Sequence, residues 1–312
     1  MGFLRTSCSW LHLICRDDFF QLWPTYHHSL APIVLHHRVE RVEKSARIMT
    51  HAIRMLGTGN AFLPHQRHHS FLIFDRKHII DAPPTALLSL RRAGISPAEI
   101  ETIFITHLHG DHVFGLPFLL LEKKYISDRE GNAHLTIVGS SGVKARLKTL
   151  CNLAFPGSLD DALDNVTFIE TGSGTIDGWN WERFRVHHDD AVDPFGYRFE
   201  HADGCSFVHS GDSGPCENLE RAIERSQLAV VEMGFPQWVP SDHHHKPDDI
   251  QSLAERQSHV KLLITHTFVD TPQSGFEPIL TDELPEHPEN VHHLEDGDVW
   301  NFQNSEWVPI EN

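Results

Sequence analysis

The sequence reads Thr106-His107-Leu108-His109-Gly110-Asp111-His112 at the end of a largely apolar, β-branched run over residues 100–106. That run predicts a buried strand. In extended backbone, residues two apart face the same way, so His107 and His109 can converge on one ion. Gly110 permits a turn, after which Asp111 and His112 can face a second ion. A solvated His-rich loop is the alternative interpretation, but the position after a buried strand favours metal binding.

Four further side chains that can bind metal or protons follow predicted strands elsewhere in the chain. The predicted strands include residues 184–188, 205–209, 228–232 and 260–265, and the side chains near their ends are His188, Asp212, Glu232 and His266. In open α/β sheets, sites form at the carboxyl ends of strands. Taken singly, His266 could be a core histidine and Asp212 a helix N-cap. Their shared position makes a joint metal site the better interpretation.

The order of predicted elements indicates an α/β fold. Strands are predicted near residues 53–56, 70–74, 78–81, 135–138, 166–170 and 197–199, and helices over 84–93, 112–121, 143–151, 219–226 and 247–257. Strands and helices alternate over much of the chain. We see no linker from residue 49 onwards and therefore predict one domain over 49–312.

These motifs resemble the metallo-β-lactamase superfamily, and within it the ribonuclease Z branch of zinc phosphodiesterases. Supporting segments are Leu56-Gly57-Thr58-Gly59, Gly115-Leu116-Pro117 after the His-rich stretch, and Gly196-Tyr197-Arg198. The resemblance spans residues 53–266. It implies an αββα sandwich, with two mixed sheets in the middle and helices outside.

The resemblance also implies a ligand set for two divalent cations, with zinc first and manganese or iron as alternatives. One ion would take His107, His109 and His188, and the other Asp111, His112 and His266, with Asp212 bridging them. The spacing after Val186 favours His188, and leaves His187 as its substitute.

A proton donor is implied in the run His243-His244-His245, which precedes Pro247. The family frame places it at His244, with His243 and His245 as alternatives. The threonine that usually follows in the family is Lys246 here. Glu232 matches the acidic residue that orients the donor. An exposed loop is the competing interpretation of the three histidines.

The implied reaction is hydrolysis by a hydroxide that bridges the two metal ions, with Asp111 helping to orient it. The tRNA-processing members of the branch carry a long arm between the Gly-Tyr-Arg strand and the bridging aspartate. Here only residues 198–211 separate Tyr197 from Asp212. We therefore expect a phosphodiesterase acting on small phosphodiesters such as cyclic nucleotides. Alternatives are an arylsulfatase-like or lactonase activity, a tRNA 3′-processing endonuclease, and a non-enzymatic metal-binding sensor.

Composition limits the partners. The 312 residues carry 26 Lys+Arg against 43 Asp+Glu, a formal charge of −17. Such a chain is a poor non-specific binder of nucleic acid or of anionic membranes, so we expect a small anionic ester as substrate. Relatives of this branch are often dimers, which leaves a homodimer open.

The cysteines and the first 48 residues bear on location and domain limits. Five scattered cysteines without CxxC spacing, and no apolar run of membrane-spanning length, favour the cytoplasm. Residues 1–48 lack periodic patterning and make a poor signal peptide. We expect them to be a leader outside the hydrolase domain, with an upstream-start artefact as one explanation.

Overall fold

The computed structural model describes residues 51–268, 287–303 and 305–308. The predicted leader, residues 1–48, lies outside these ranges, so its separation from the hydrolase domain stays a prediction. Within the described residues, no helix is long and apolar enough to cross a bilayer.

Fifteen strands are assigned within the described ranges. They are Ala52–Gly57 (β1), Phe71–Phe74 (β2), His78–Ile80 (β3), Thr102–Phe104 (β4), Leu135–Val138 (β5), Val166–Ile169 (β6), Ser173–Ile176 (β7), Trp179–Arg185 (β8), Phe195–His201 (β9), Ser206–His209 (β10), Leu228–Glu232 (β11), Lys261–Thr265 (β12), Val291–His293 (β13), Val299–Asn301 (β14) and Glu306–Val308 (β15).

The strands of the described ranges form two mixed sheets. The first has the order β15-β14-β1-β2-β3-β4-β5-β6, and the second has the order β13-β12-β11-β10-β9-β8-β7. In the first sheet β3 to β6 run parallel, whereas β1 to β3 are antiparallel. In the second, β10 to β13 run parallel and β7 to β10 are antiparallel.

The α-helices of the described ranges are short. They are Ala86–Arg92 (α1), Gly110–Val113 (α2), Leu116–Glu122 (α3), Val143–Ala154 (α4), Glu217–Glu224 (α5) and Pro247–Arg256 (α6). Three 3₁₀ turns cover Pro64–Gln66, Pro97–Glu99 and Asp190–Val192, and a π-helical turn covers Lys123–Ser127.

Alternation along the strands gives each sheet two apolar faces. In β2, Leu72 and Phe74 belong to the core between the sheets, while Phe71 and Ile73 belong to an outer core under α1, α3 and α4. In β12, Leu263 faces the inter-sheet core and its neighbours join the outer core under α5 and α6. Successive side chains of a strand point to opposite faces, so two-sided burial requires covering helices.

These layers confirm the predicted αββα sandwich of the metallo-β-lactamase type. The inter-sheet core is aromatic, and its buried rings include Phe74, Phe104, Trp179, Tyr197 and Phe207. Phe199 and Phe207 stack with their ring centroids 4.6 Å apart. Aromatic rings each bury a large apolar area, so they stabilise the contact between the two sheets.

Two predicted elements are corrected by the structure. The helix predicted over 112–121 is broken into α2 and α3 at Gly115, whose amide donates to the Ala82 carbonyl over 2.8 Å. A side chain at Gly115 would put its Cβ 1.8 Å from the Pro83 carbonyl oxygen, so close backbone contact requires glycine there.

The strand predicted over 184–188 is β8, which ends at Arg185. His188 therefore follows the strand in a loop.

Candidate metal centre

The His-rich stretch follows β4 at the edge where several other strands end. β10, β11 and β12 are parallel neighbours, and they deliver Asp212, Glu232 and His266 to one edge of the second sheet. Both sheets meet here, because Gly59 bridges to His69 on one side and to Thr267 on the other. The side chains of both sheets can therefore converge.

The first cluster contains His107, His109, His188 and Asp212. The Nδ1 atom of His109 lies 3.1 Å from Nε2 of His107 and 3.1 Å from Nε2 of His188. An oxygen of Asp212 lies 3.7 Å from Nε2 of His107. The structure thus brings together the four side chains that were predicted for one ion.

The second cluster contains Asp111, His112, Asp212 and His266. Nε2 of His112 lies 3.5 Å from an oxygen of Asp111 and 3.4 Å from one of Asp212. Nε2 of His266 lies 3.4 Å from both of these carboxylates. Asp212 is shared by the two clusters, which is the arrangement predicted for a bridging ligand.

These distances fit a tetrahedral metal site. With zinc–ligand bonds of about 2.0–2.1 Å, the ligand atoms stand about 3.3–3.4 Å apart. Nε2 of His112 is buried and has no hydrogen-bond partner among the described residues. Imidazole nitrogens and carboxylate oxygens that face one another across such gaps present their lone pairs to a common point, where a cation is the natural occupant.

The other ring nitrogens orient three of these histidines. Nδ1 of His112 donates to Asp81 over 2.8 Å, and Nδ1 of His188 to the backbone carbonyl of His243 over 3.0 Å. Nδ1 of His107 lies 3.1 Å from the Thr106 hydroxyl. Hydrogen bonds of this kind fix which nitrogen of a metal-binding histidine carries the lone pair.

Asp81 contacts the second cluster through His112, and sequence reasoning missed it. It follows β3, the parallel neighbour of β4, and is buried. It accepts hydrogen bonds from the amide and the hydroxyl of Thr106, at 2.8 and 2.7 Å. A carboxylate at a strand end beside the His-rich stretch was the available signal.

The electrostatics favour charged carboxylates and neutral rings at His107 and His188. Burial opposes the charge of Asp212, but His266 and His112 outweigh it and hold the pKa of this carboxyl well below its usual value. Burial lowers the pKa of His107 and of His188. At His112, burial opposes protonation, but the Asp212 and Asp81 carboxylates outweigh it and raise the pKa of the ring. Metal binding requires deprotonated ligands of both kinds, so an ion at the second cluster would displace the proton of His112.

The run of three histidines separates into three environments. Nδ1 of His244 lies 2.9 Å from Glu232, whose carboxylate is buried and also accepts from the Ser213 amide at 3.0 Å. Burial opposes protonation of His244, but the Glu232 carboxylate and its hydrogen bond raise the His244 pKa to about 9. His243 is exposed, and His245 is buried with its ring on the Ser213 carbonyl.

His244 also lies against both clusters. Its ring stacks on His266 with centroids 5.7 Å apart and meets His188 edge-on at 4.8 Å. Of the three histidines, His244 has the geometry predicted for the proton donor. His187, the alternative ligand, points away from the centre and pairs with Asp242 at 3.2 Å.

Comparison with known proteins gives the family. Residues 51–273 match the model of the family described as anti-Pycsar protein Apyc1. The chain belongs to this family. It is also 27% identical over 232 residues to ribonuclease Z of Bacillus licheniformis, a match that covers 55% of the chain and 71% of that protein.

Two further comparisons give the same branch and the same fold. Ribonuclease Z of Limosilactobacillus fermentum is 32% identical over 238 residues, covering 72% of the chain and 65% of that protein. The metallo-β-lactamase fold protein YhfI of Bacillus subtilis superposes with a TM-score of 0.64 at 17% identity, covering 80% of the chain and 98% of YhfI. This Apyc1-family chain is therefore a metal-dependent hydrolase of the ribonuclease Z-like branch, acting on ester bonds, as the sequence predicted.

Proposed function

We propose that this Apyc1-family chain is a dinuclear zinc phosphodiesterase that hydrolyses small phosphodiesters such as cyclic nucleotides. The observation that carries the proposal is the pair of four-residue clusters with Asp212 in common. Cations held on its two sides could contact a phosphodiester together, as two-metal hydrolases do.

Each side chain then has a defined task. Two bound cations would supply Lewis acidity for the ester and would lower the pKa of a water molecule that serves as nucleophile. Asp212, shared by the two clusters, would bind both cations, and Asp111 would help to orient the attacking water. His244, held by Glu232, donates a proton to the leaving oxygen.

The segment before Asp212 supports a small substrate. Residues 202–205 join β9 to β10 in a tight hairpin, with the Gly204 amide donating to the His201 carbonyl over 3.0 Å. A long tRNA-gripping arm has no place in so short a connection. The formal charge of −17 also disfavours an extended nucleic acid.

The test is a panel of esters assayed with the full chain and added Zn²⁺ or Mn²⁺. It contains bis-aryl phosphate, 2′,3′- and 3′,5′-cyclic nucleotides, an aryl sulfate, an acyl lactone and a precursor tRNA. We expect metal-dependent turnover of the phosphodiesters, abolished by a chelator. Turnover of the sulfate or lactone alone, or of the tRNA alone, would overturn the substrate class. No turnover of any ester would point to a metal-binding sensor.

A further inference from the structure

Two large aromatic side chains stand in solvent on loops beside the metal centre. Among the described residues, Phe62 and Trp238 are the most exposed aromatic side chains, at 79% and 73% of their surface. Phe62 lies in the connection between β1 and β2, and Trp238 lies in the connection between β11 and α6. Aromatic side chains often line ligand sites, because one ring offers a large apolar area for contact.

The loop that carries Trp238 begins and ends at the proton donor. It leaves β11 at Glu232 and returns to the chain at His244, whose Nδ1 lies 2.9 Å from the Glu232 carboxylate. The Phe235 amide donates to the His245 carbonyl over 3.4 Å and closes the loop at its base. Trp238 is therefore carried by a loop that is anchored on both sides beside His244.

The loop that carries Phe62 is tied to the same place. The buried side chain of Asn60 accepts from the Phe62 amide over 3.0 Å and donates to the Gly234 carbonyl over 3.3 Å. A Cβ at Gly234 would lie 2.7 Å from Nδ1 of His244, so this backbone packs directly on the ring of the proton donor. One buried amide side chain thus joins the two loops next to His244.

Phe235 extends the aromatic surface to the reacting groups. Its ring centroid lies 4.3 Å from that of His244, at an interplanar angle of 52°. In the proposed reaction His244 protonates the leaving oxygen of the ester. The organic group on that oxygen therefore lies on the same side of the centre as Phe235, where a flat ring would find an aromatic contact.

The composition of the two loops suits an anionic ligand with a flat ring. Residues 60–66 and 234–241 contain no Asp or Glu, although the chain carries a formal charge of −17. An anion is therefore not repelled by carboxylates of these loops. Pro64 follows Phe62 closely, and Pro236 and Pro240 flank Trp238. Because proline fixes φ, these loops lose less conformational freedom when a ligand orders them.

We propose that Phe62, Phe235 and Trp238 bind the base of a nucleotide while its phosphodiester lies at the metal centre. The inference deepens the proposed function and rests on it for the ester. Every base offers a π-face, so stacking on these rings selects nucleotides over other small phosphodiesters without selecting one base. The three rings thereby determine the class of substrate, and the metal ligands determine the bond that is cleaved.

The first experiment compares two esters as substrates of the zinc-loaded full-length chain. They are a 2′,3′-cyclic nucleotide and ribose 2′,3′-cyclic phosphate, which is the same ester without a base. In Trp238→Ala we expect KM for the nucleotide to rise about 5- to 150-fold, as for a lost base–aromatic stack, with kcat little changed. Phe62→Ala should change KM in the same direction. KM for the base-free ester should stay as in wild type.

Two further variants are controls for this comparison. Trp238→Phe keeps an aromatic ring and should restore most of the affinity for the nucleotide. Leu153→Ala removes an apolar side chain of α4 that is 77% exposed, and it should equal wild type on both esters. Equal KM changes for the two esters would assign the rings a structural role. That result, or an unchanged KM for the nucleotide in both alanine variants, would overturn the proposal.

Calorimetry separates this proposal from the proposed function, because it measures binding without turnover. The zinc-loaded chain is titrated with a nucleoside 5′-monophosphate and with ribose 5-phosphate, neither of which is a diester. We expect wild type to prefer the nucleotide and Trp238→Ala to lose that preference. The preference without turnover of any ester would contradict the phosphodiesterase alone. Turnover with equal binding of the two ligands would contradict the base site alone.

Discussion

Three histidines of the metal centre use one ring nitrogen for orientation and present the other to the cluster. For His112 the orienting partner is a buried carboxylate, Asp81, which Thr106 in turn holds with two hydrogen bonds. The local motif and the strand ends made the ligands predictable from the sequence. The orienting contacts come from residues distant in sequence, and no local pattern could assign them.

Removing the charge of Asp81 should weaken metal binding without removing a ligand. In Asp81→Asn, we expect zinc affinity at the cluster of Asp111, His112 and His266 to fall about 10–100-fold. A competition titration against a chelator measures this. Asp161→Asn, at the surface ion pair with Lys124, is the control and should bind as wild type does. Unchanged affinity in Asp81→Asn would show that Asp81 does not orient His112.

The proton-donor role of His244 can be tested separately from metal binding. In His244→Ala, we expect both ions to be retained and kcat to fall about 10²–10⁴-fold, the usual loss for a general acid. His243→Ala is the matched control, because its exposed ring is not held by Glu232, and it should stay within a few-fold of wild type. Full activity in His244→Ala, or an equal loss in His243→Ala, would assign the proton transfer elsewhere.

At the scale of elements, strands with clear apolar runs were predicted well and irregular connections were not. β5 and β11 have the predicted bounds. The break at Gly115 was not predicted, because it arises from the close approach of Pro83, a tertiary contact. β7 and the C-terminal strands β13 to β15 were not predicted either, since pairing with neighbours rather than apolar patterning defines these short strands.

The break between α2 and α3 gives a stability prediction. In Gly115→Ala the new Cβ would clash with backbone at Pro83, so we expect a loss of about 1–3 kcal/mol in the free energy of unfolding. Urea denaturation measures it. Gly172→Ala is the control, because nothing lies within 4 Å of its Cβ position and its φ is not positive. A Gly115→Ala variant as stable as the control would contradict the close packing of the break.

At the scale of the whole molecule, the charge of −17 and the short β9–β10 connection both support the small substrate proposed above. The net charge follows directly from the amino-acid composition. The tight hairpin was implied by the few residues before Asp212, and the structure adds its geometry. The contact between the rings of His51 and His201, whose centroids lie 4.1 Å apart, could not be predicted, since only the folded sandwich brings these residues together.

Buried neutral histidines should make the metal-free chain sensitive to acid. Burial lowers the pKa of His209 to about 4, and it does the same for His293. Between about pH 6.5 and 4 the unfolded chain binds protons that the folded chain does not, so stability falls as pH falls through that window. Each such histidine contributes a slope of up to about 1.4 kcal/mol per pH unit.

Denaturation of the chelator-treated protein at several pH values checks this. His209→Gln keeps an acceptor for the Gly211 amide and should reduce the slope between pH 6.5 and 4. His259→Gln, at an exposed position, should not. An identical slope in wild type and His209→Gln would contradict a neutral His209 in the folded state.

The central claim, two cations on either side of Asp212, is tested most directly by anomalous diffraction at the zinc edge from crystals grown with Zn²⁺. We predict two peaks about 3.5–4 Å apart, one among His107, His109 and His188 and the other among Asp111, His112 and His266. In Asp212→Ala both peaks should weaken or vanish, because the shared ligand is lost. A single peak at the centre, or two undiminished peaks in Asp212→Ala, would contradict a dinuclear site bridged by this residue.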